Sequence, residues 1–164
     1  MTTSIATQIV PHLIGGEPTR ESARSQPVYN PATGEEIRQV PLADTELLNQ
    51  AVATAAQAQK SWRSLGLAKR SLVFFRLAAI IRDEQEDLAR IITEEHGKTI
   101  PDALGEIARG LENVEFCAGL MHHLKGENAE QVASGVDVQQ LKQPVGVVAC
   151  ITPFNFPAMV PLWM

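Results

Sequence analysis

Pro144-Val145-Gly146-Val147-Val148-Ala149-Cys150-Ile151-Thr152-Pro153-Phe154-Asn155-Phe156-Pro157 is the stretch whose reading decides the fold. Pro144 to Ile151 form one apolar run, the pattern of a parallel strand buried on both faces. Pro153 and Pro157 then break the chain. Ala158 to Met164 reads as the first two turns of a helix with Pro157 at its start. In open α/β sheets, ligands bind beyond the carboxyl ends of the strands, where such a junction lies. Asn155 stands at that junction between two prolines and two aromatics, preorganised to donate a hydrogen bond. A plainer reading, Asn155 as a turn residue, stays open on spacing alone.

A single parallel strand needs neighbouring strands and a helix on each face. Upstream, the chain supplies small strands and a block of helices. His12-Leu13-Ile14, Gly15-Gly16 and Glu17-Pro18-Thr19 read as a hairpin, the paired glycines supplying positive φ in the turn. Arg20 to Gln26 reads as a polar loop. Val28-Tyr29 and Glu36 to Val40 read as a strand pair around the turn Asn30-Pro31-Ala32-Thr33-Gly34. Asp44 suits an N-cap. The helix it starts runs through alanine-rich sequence to Lys60, with Leu48, Val52 and Ala55 at helical spacing. A second helix is expected from Leu67 to Arg82 with Val73, Leu77 and Ile80 on one face. A third carries Leu88, Ile91 and Ile92 and is capped by Gly97. Pro101 opens a fourth, whose stripe is Ile107, Leu111, Val114, Ala118 and Met121, ended by Gly126.

Glu127 to Gln143 is polar, with alternation through Val136, Val138 and Leu141, and reads as one or two solvent-facing or intersubunit strands. The sequence stops at Met164 within an apolar helix start, without a capping residue or polar tail, so a truncated chain is expected.

Composition narrows the class. The 164 residues suggest one compact domain, and 45% hydrophobic with 20% charged residues suffices for a core. A net charge of −5 offers no footprint for nucleic acid or an anionic membrane. Cys117 and Cys150 are far apart, which argues against a zinc site or disulfide scaffold and for a reducing compartment. Both read as core cysteines, with Cys150 buried in the apolar run where a thiol is hard to reach. His122 and His123 are adjacent and point apart, so no metal site is expected. Trp62 and Trp163 read as packing anchors, and no glycine-rich phosphate loop occurs. Met1 to Val10 lacks the features of a leader, and no run is long enough to span a membrane, which predicts a cytoplasmic protein.

The stretch 151–157 resembles the signature that begins the nicotinamide-binding domain of aldehyde dehydrogenases. His12 to Gly16, Tyr29-Asn30-Pro31-Ala32-Thr33-Gly34-Glu35 and Glu94-Glu95-His96-Gly97-Lys98-Thr99 look like further landmarks of that family, in its order. Asp102 to Phe116 and Phe154 to Met164 are similar to the CoA-acylating methylmalonate-semialdehyde dehydrogenase branch. The resemblance covers nearly the whole chain. It implies an α/β fold that is the incomplete N-terminal part of the aldehyde dehydrogenase fold. The parts expected are small β-hairpins, a helical block, oligomerisation strands and the first parallel strand of the NAD-binding sheet. Residues 1–125 would be the strands and helices of the NAD-binding domain, 126–143 an oligomerisation segment, and 144–164 the first strand and helix start of the nucleotide-binding sheet.

The resemblance also implies roles. Asn155 would complete an oxyanion hole with a backbone N–H beside a catalytic cysteine that lies beyond Met164. Thr152, Pro153 and Phe154 would line the nicotinamide side of an NAD site. Arg109 would handle the carboxylate of the substrate and the CoA-dependent step. By helical geometry Arg109 lies about 200° from Ile107, away from the apolar stripe. Its plainer reading is a solvated ion pair with Glu106 or Glu112.

The implied reaction oxidises a semialdehyde through a cysteine thioester, with NAD as cofactor and coenzyme A as co-substrate. Methylmalonate semialdehyde would give propionyl-CoA and malonate semialdehyde acetyl-CoA, as in valine and inositol catabolism. A homo-oligomer is expected for the intact enzyme, with no nucleic-acid or membrane partner, and no activity from the chain alone. Two alternatives stand beside it: a fragment of a non-acylating semialdehyde dehydrogenase, or an interaction module pairing through residues 127–143.

Overall fold

The computed structural model describes residues 8–20 and 22–164. The leader reading of Met1 to Val10 falls largely on 1–7, outside the described residues. A three-stranded sheet runs in the order β1 (Gln8–Ile9), β5 (Glu36–Pro41), β4 (Ser25–Tyr29), with β1 parallel and β4 antiparallel to β5. The expected Val28-Tyr29 strand therefore starts earlier, at Ser25, inside the stretch that reads as a loop. The hairpin of β2 (His12–Ile14) and β3 (Glu17–Thr19) forms as expected, with Gly15 and Gly16 at φ 64° and 90°.

Four helices follow: α1 (Thr45–Ser64), α2 (Leu67–Asp83), α3 (Gln85–His96) and α4 (Ile100–Ala118). Asp44 caps α1, its Oδ1 accepting from the Leu47 amide at 2.8 Å. Gly97 ends α3 in the left-handed conformation at φ 81°. Thr99 caps α4, with Pro101 in its first turn. The core lies where α2, α3 and α4 meet, through Ala78, Ile81, Ala89, Ile92, Ala103, Ile107 and Val114.

Several packing expectations need correction. The buried face of α2 carries Ser71, Ala78 and Ile81, whereas Val73 and Ile80 face solvent. Packing against α4 selects a stripe rotated from the one chosen by hydrophobicity. No residue of α1 is buried, and Leu48 and Val52 are exposed. Helix α4 stops at Ala118, eight residues before Gly126. A four-residue helix α5 (Leu120–His123) follows Gly119 and leaves Met121 exposed. Trp62 and Trp163 are both partly open to solvent.

The polar segment forms a hairpin, β6 (Glu127–Ala133) with β7 (Val136–Gln140), exposed along both strands. The apolar run 144–151 does not form a strand. Among the described residues it pairs with no other segment, Val145 and Ile151 are 90% and 91% exposed, and Cys150 is exposed rather than buried. A strand exists only through its partners, and the described residues supply none to that run. After it comes the five-residue helix α6 (Met159–Trp163). Among the described residues no helix is long and apolar enough to cross a membrane.

Candidate active site

One face of α4 carries Glu106, Gly110 and Asn113, at i, i+4 and i+7, and residues 155–163 dock on it. At Gly110 the missing side chain lets α6 approach closely: a Cβ there would lie 2.7 Å from Leu162 Cδ1 and 3.3 Å from Met159 Cα. One turn on, Asn113 Nδ2 donates to the carbonyls of Leu162 and Trp163 at 3.3 and 3.4 Å. One turn back, Glu106 is fully buried at 0% exposure. Its Oε1 accepts from the amides of Ala158 and Met159 at 2.7 and 3.1 Å, the amides that open α6. Its Oε2 is ion-paired with Lys98 Nζ.

A buried carboxylate without partners would be expensive. Burial raises the pKa of Glu106, but it is outweighed by the hydrogen bond from Lys98, the two backbone amides and the Lys98 charge. The net effect holds its carboxyl below the ordinary value, so Glu106 is ionised at neutral pH.

Lys98 enters this node from the loop after Gly97. That glycine fits against the Asn30–Gly34 turn, where a Cβ would lie 3.0 Å from Pro31 Cγ. Arg38 of β5 pairs with Glu94 and Glu95 at 3.1 Å each, fastening α3 to the same sheet. The segments 29–35 and 94–99 thus meet in space. Besides Glu106, Lys98 Nζ donates to the backbone carbonyl of Asn155 at 2.8 Å and lies 4.2 Å from the ring centre of Phe156.

Asn155 itself is exposed in the turn before α6. Among the described residues no group accepts from its side-chain amide, so that donor is open while its backbone is pinned. Arg109 is exposed, as helical geometry predicts, and its Cζ lies 5.3 Å from the centre of the same Phe156 ring. Its Nε donates to Gly105 O at 3.2 Å, and among the described residues it forms no ion pair with Glu106 or Glu112. It borders an open groove of about 360 Å³ with Glu112, Asn113, Phe116 and Trp163. Thr152, Pro153 and Phe154 precede Asn155 and are exposed, Phe154 at 88%.

The structure therefore sets Asn155 next in sequence to the Phe156 ring that Lys98 and Arg109 approach, and leaves Thr152, Pro153 and Phe154 open before it. Sequence reasoning missed Lys98 as a contact and read Glu106 only as a partner for Arg109. A signal was present: Glu106 falls on the same helical face as Ala103, Ile107 and Gly110, all buried. A carboxylate there must meet a cation or several amides.

Known proteins resemble this chain in sequence and in fold. A sequence model of the aldehyde dehydrogenase family matches residues 19–164. The chain is 48% identical to a malonate-semialdehyde dehydrogenase of Pseudomonas aeruginosa, over 93% of its own length and 31% of the relative's. It is 44% identical to malonate-semialdehyde dehydrogenase 2 of Bacillus cereus, over 100% of this chain and 34% of the relative. Among solved structures, it superposes on methylmalonate-semialdehyde dehydrogenase from Oceanimonas doudoroffii with a TM-score of 0.91 at 48% identity, covering 96% of this chain and 32% of that one. A Sinorhizobium meliloti protein solved with NAD gives the same TM-score at 42% identity, with the same coverage. The chain spans about a third of the length of the curated relatives it matches. With the family match reaching across nearly all of its residues, the chain belongs to the aldehyde dehydrogenase family.

Proposed function

We propose that these residues are part of an NAD-dependent, CoA-acylating dehydrogenase of malonate or methylmalonate semialdehyde. The observation that carries this reading is an open amide next in sequence to the ring over which a guanidinium lies. Asn155 presents a free donor on a pinned backbone, and Arg109 lies over the neighbouring Phe156. The proposed substrate carries an aldehyde and a carboxylate, which call for those two groups. The names of the relatives support the same substrate class.

In this reading a cysteine outside the 164 residues adds as thiolate to the aldehyde carbon, and the carbonyl oxygen becomes an alkoxide. Asn155 Nδ2 donates to that oxygen, and Arg109 receives the carboxylate in its planar fork. Exposed Thr152, Pro153 and Phe154 border the nicotinamide end of NAD, which when bound accepts the hydride. Coenzyme A, as thiol, takes the acyl group from the resulting thioester and releases the cysteine. With either substrate the carboxylate leaves as carbon dioxide, so the acyl group transferred is acetyl from malonate semialdehyde and propionyl from methylmalonate semialdehyde. The exposed β6–β7 hairpin serves assembly of a cytoplasmic homo-oligomer.

The test has two parts. The 164 residues alone should give no NADH with malonate semialdehyde and CoA; turnover by pure chain overturns the reading. In a complete dehydrogenase built on this chain, Asn155→Ala should lower kcat by on the order of 10²–10³. An unchanged kcat removes Asn155 from the chemistry.

A further inference from the structure

We infer that Lys98 and Glu106 are positioning residues for Asn155, one buried ion pair holding the turn 155–159 at both ends. The inference rests on the proposed role of Asn155 in holding the alkoxide. Glu106 Oε1 takes the amides of Ala158 and Met159, which fixes the downstream side of the turn. Lys98 takes the Asn155 carbonyl and the Phe156 ring, which fixes the upstream side. An ammonium has three N–H donors, and Glu106, Asn155 O and the ring account for all three directions. None of these contacts uses the Asn155 side chain, so the amide is aimed by its backbone and left free to donate. A donor to a developing charge is effective only when held in place beforehand. The node supplies that hold, and the Lys98 side connects it to α3 through the Gly97 cap.

A merely structural pin would stabilise the turn without acting through Asn155, and a double-substitution cycle separates the two. In a complete dehydrogenase built on this chain, Lys98→Met should lower kcat roughly 10- to 100-fold and leave the KM for NAD within about twofold. Adding Asn155→Ala to Lys98→Met should then cost far less than Asn155→Ala alone, because the misplaced amide has already lost its effect. Lys98→Arg should restore part of kcat. Where Lys98→Met does not fold, Glu106→Gln carries the same cycle, since Gln keeps one oxygen for the α6 amides and turns an NH₂ toward Lys98.

Independently of activity, ¹⁵N relaxation on the 164-residue chain should show the amides of Asn155 and Phe156 becoming more mobile in Glu106→Gln, with α4 unchanged. Additive losses, an unaltered kcat in Lys98→Met, or equal mobility in both chains would overturn the inference and leave the role of Asn155 standing. If Asn155→Ala alone leaves kcat unchanged, it is the proposed function that fails.

Discussion

Lys98 and Asn155, 57 positions apart in the chain, are joined by a 2.8 Å hydrogen bond from the ammonium to the backbone carbonyl. The same ammonium neutralises Glu106, so the signature turn is tied to a buried charge pair rather than to a neighbouring strand.

That charge pair should dominate the stability of this region. Glu106→Ala strands Lys98, whose side chain is only 15% exposed, and frees the amides of Ala158 and Met159. The expected loss is about 3–5 kcal/mol, read from urea unfolding. Replacing both partners with apolar residues, Lys98→Met with Glu106→Leu, should recover much of it, since the remaining charge is no longer unpaired. A double variant as unstable as the single one would contradict this.

Acid should weaken the same contact. The folded protein holds the Glu106 carboxyl below its ordinary value of 4.5, so the unfolded chain binds its proton more readily. The contribution is therefore complete above that value and is lost as pH falls below it through the folded pKa. Comparing urea midpoints of wild type and Glu106→Gln from neutral pH down to about pH 3, the wild-type advantage should shrink toward acid. A constant gap would show that the carboxylate charge contributes nothing.

Two glycines of α4 should respond in opposite directions. Nothing lies within 4 Å of the place where a methyl group at Gly105 would sit, so Gly105→Ala should stabilise by about 0.5–1 kcal/mol through helix propensity. A methyl group at Gly110 would lie 2.7 Å from Leu162 Cδ1 and 3.3 Å from Met159 Cα, and Gly110→Ala should destabilise on balance, overpacking of about 1–3 kcal/mol exceeding the same propensity gain. Thermal unfolding of the two variants side by side checks the sign of each.

Arg109 should matter to substrate and not to folding. Its guanidinium is exposed and makes no ion pair among the described residues, so Arg109→Leu should leave unfolding midpoints nearly unchanged. In a complete dehydrogenase, loss of a charged contact to the substrate carboxylate should raise the semialdehyde KM by roughly 10- to 100-fold. An unaltered KM would assign that carboxylate to another residue.

What is legible in the sequence, and what is not, divides by distance along the chain. The Asp44 cap, the Gly15 and Gly16 turn, the Gly97 stop and the Thr33-Gly34 turn each depend on groups a few residues apart, and all are legible. The run 144–151 reads as a buried strand because its side chains are apolar, yet the hydrogen bonds that make a strand must come from elsewhere in a polypeptide. Gln8 and Ile9 in the β1–β5 pair show the converse: two residues too few to read as a strand become one because Arg38 and Gln39 lie alongside. The site divides in the same way. Asn155 and Arg109 stand out through their local surroundings and the family resemblance. The Lys98–Glu106 node depends on contacts to residues about fifty positions away, and only the misplaced charge on the stripe of α4 hints at it.

The docking face on α4 also implies an order of assembly. Glu106, Gly110 and Asn113 line up only once that helix has wound, because they are spread over two of its turns. The five residues of α6 are too few to nucleate on their own. The turn bearing Asn155 must therefore be a late arrival, settling onto a template already built. Substitutions at 158–162 should then speed unfolding and leave the folding rate nearly untouched.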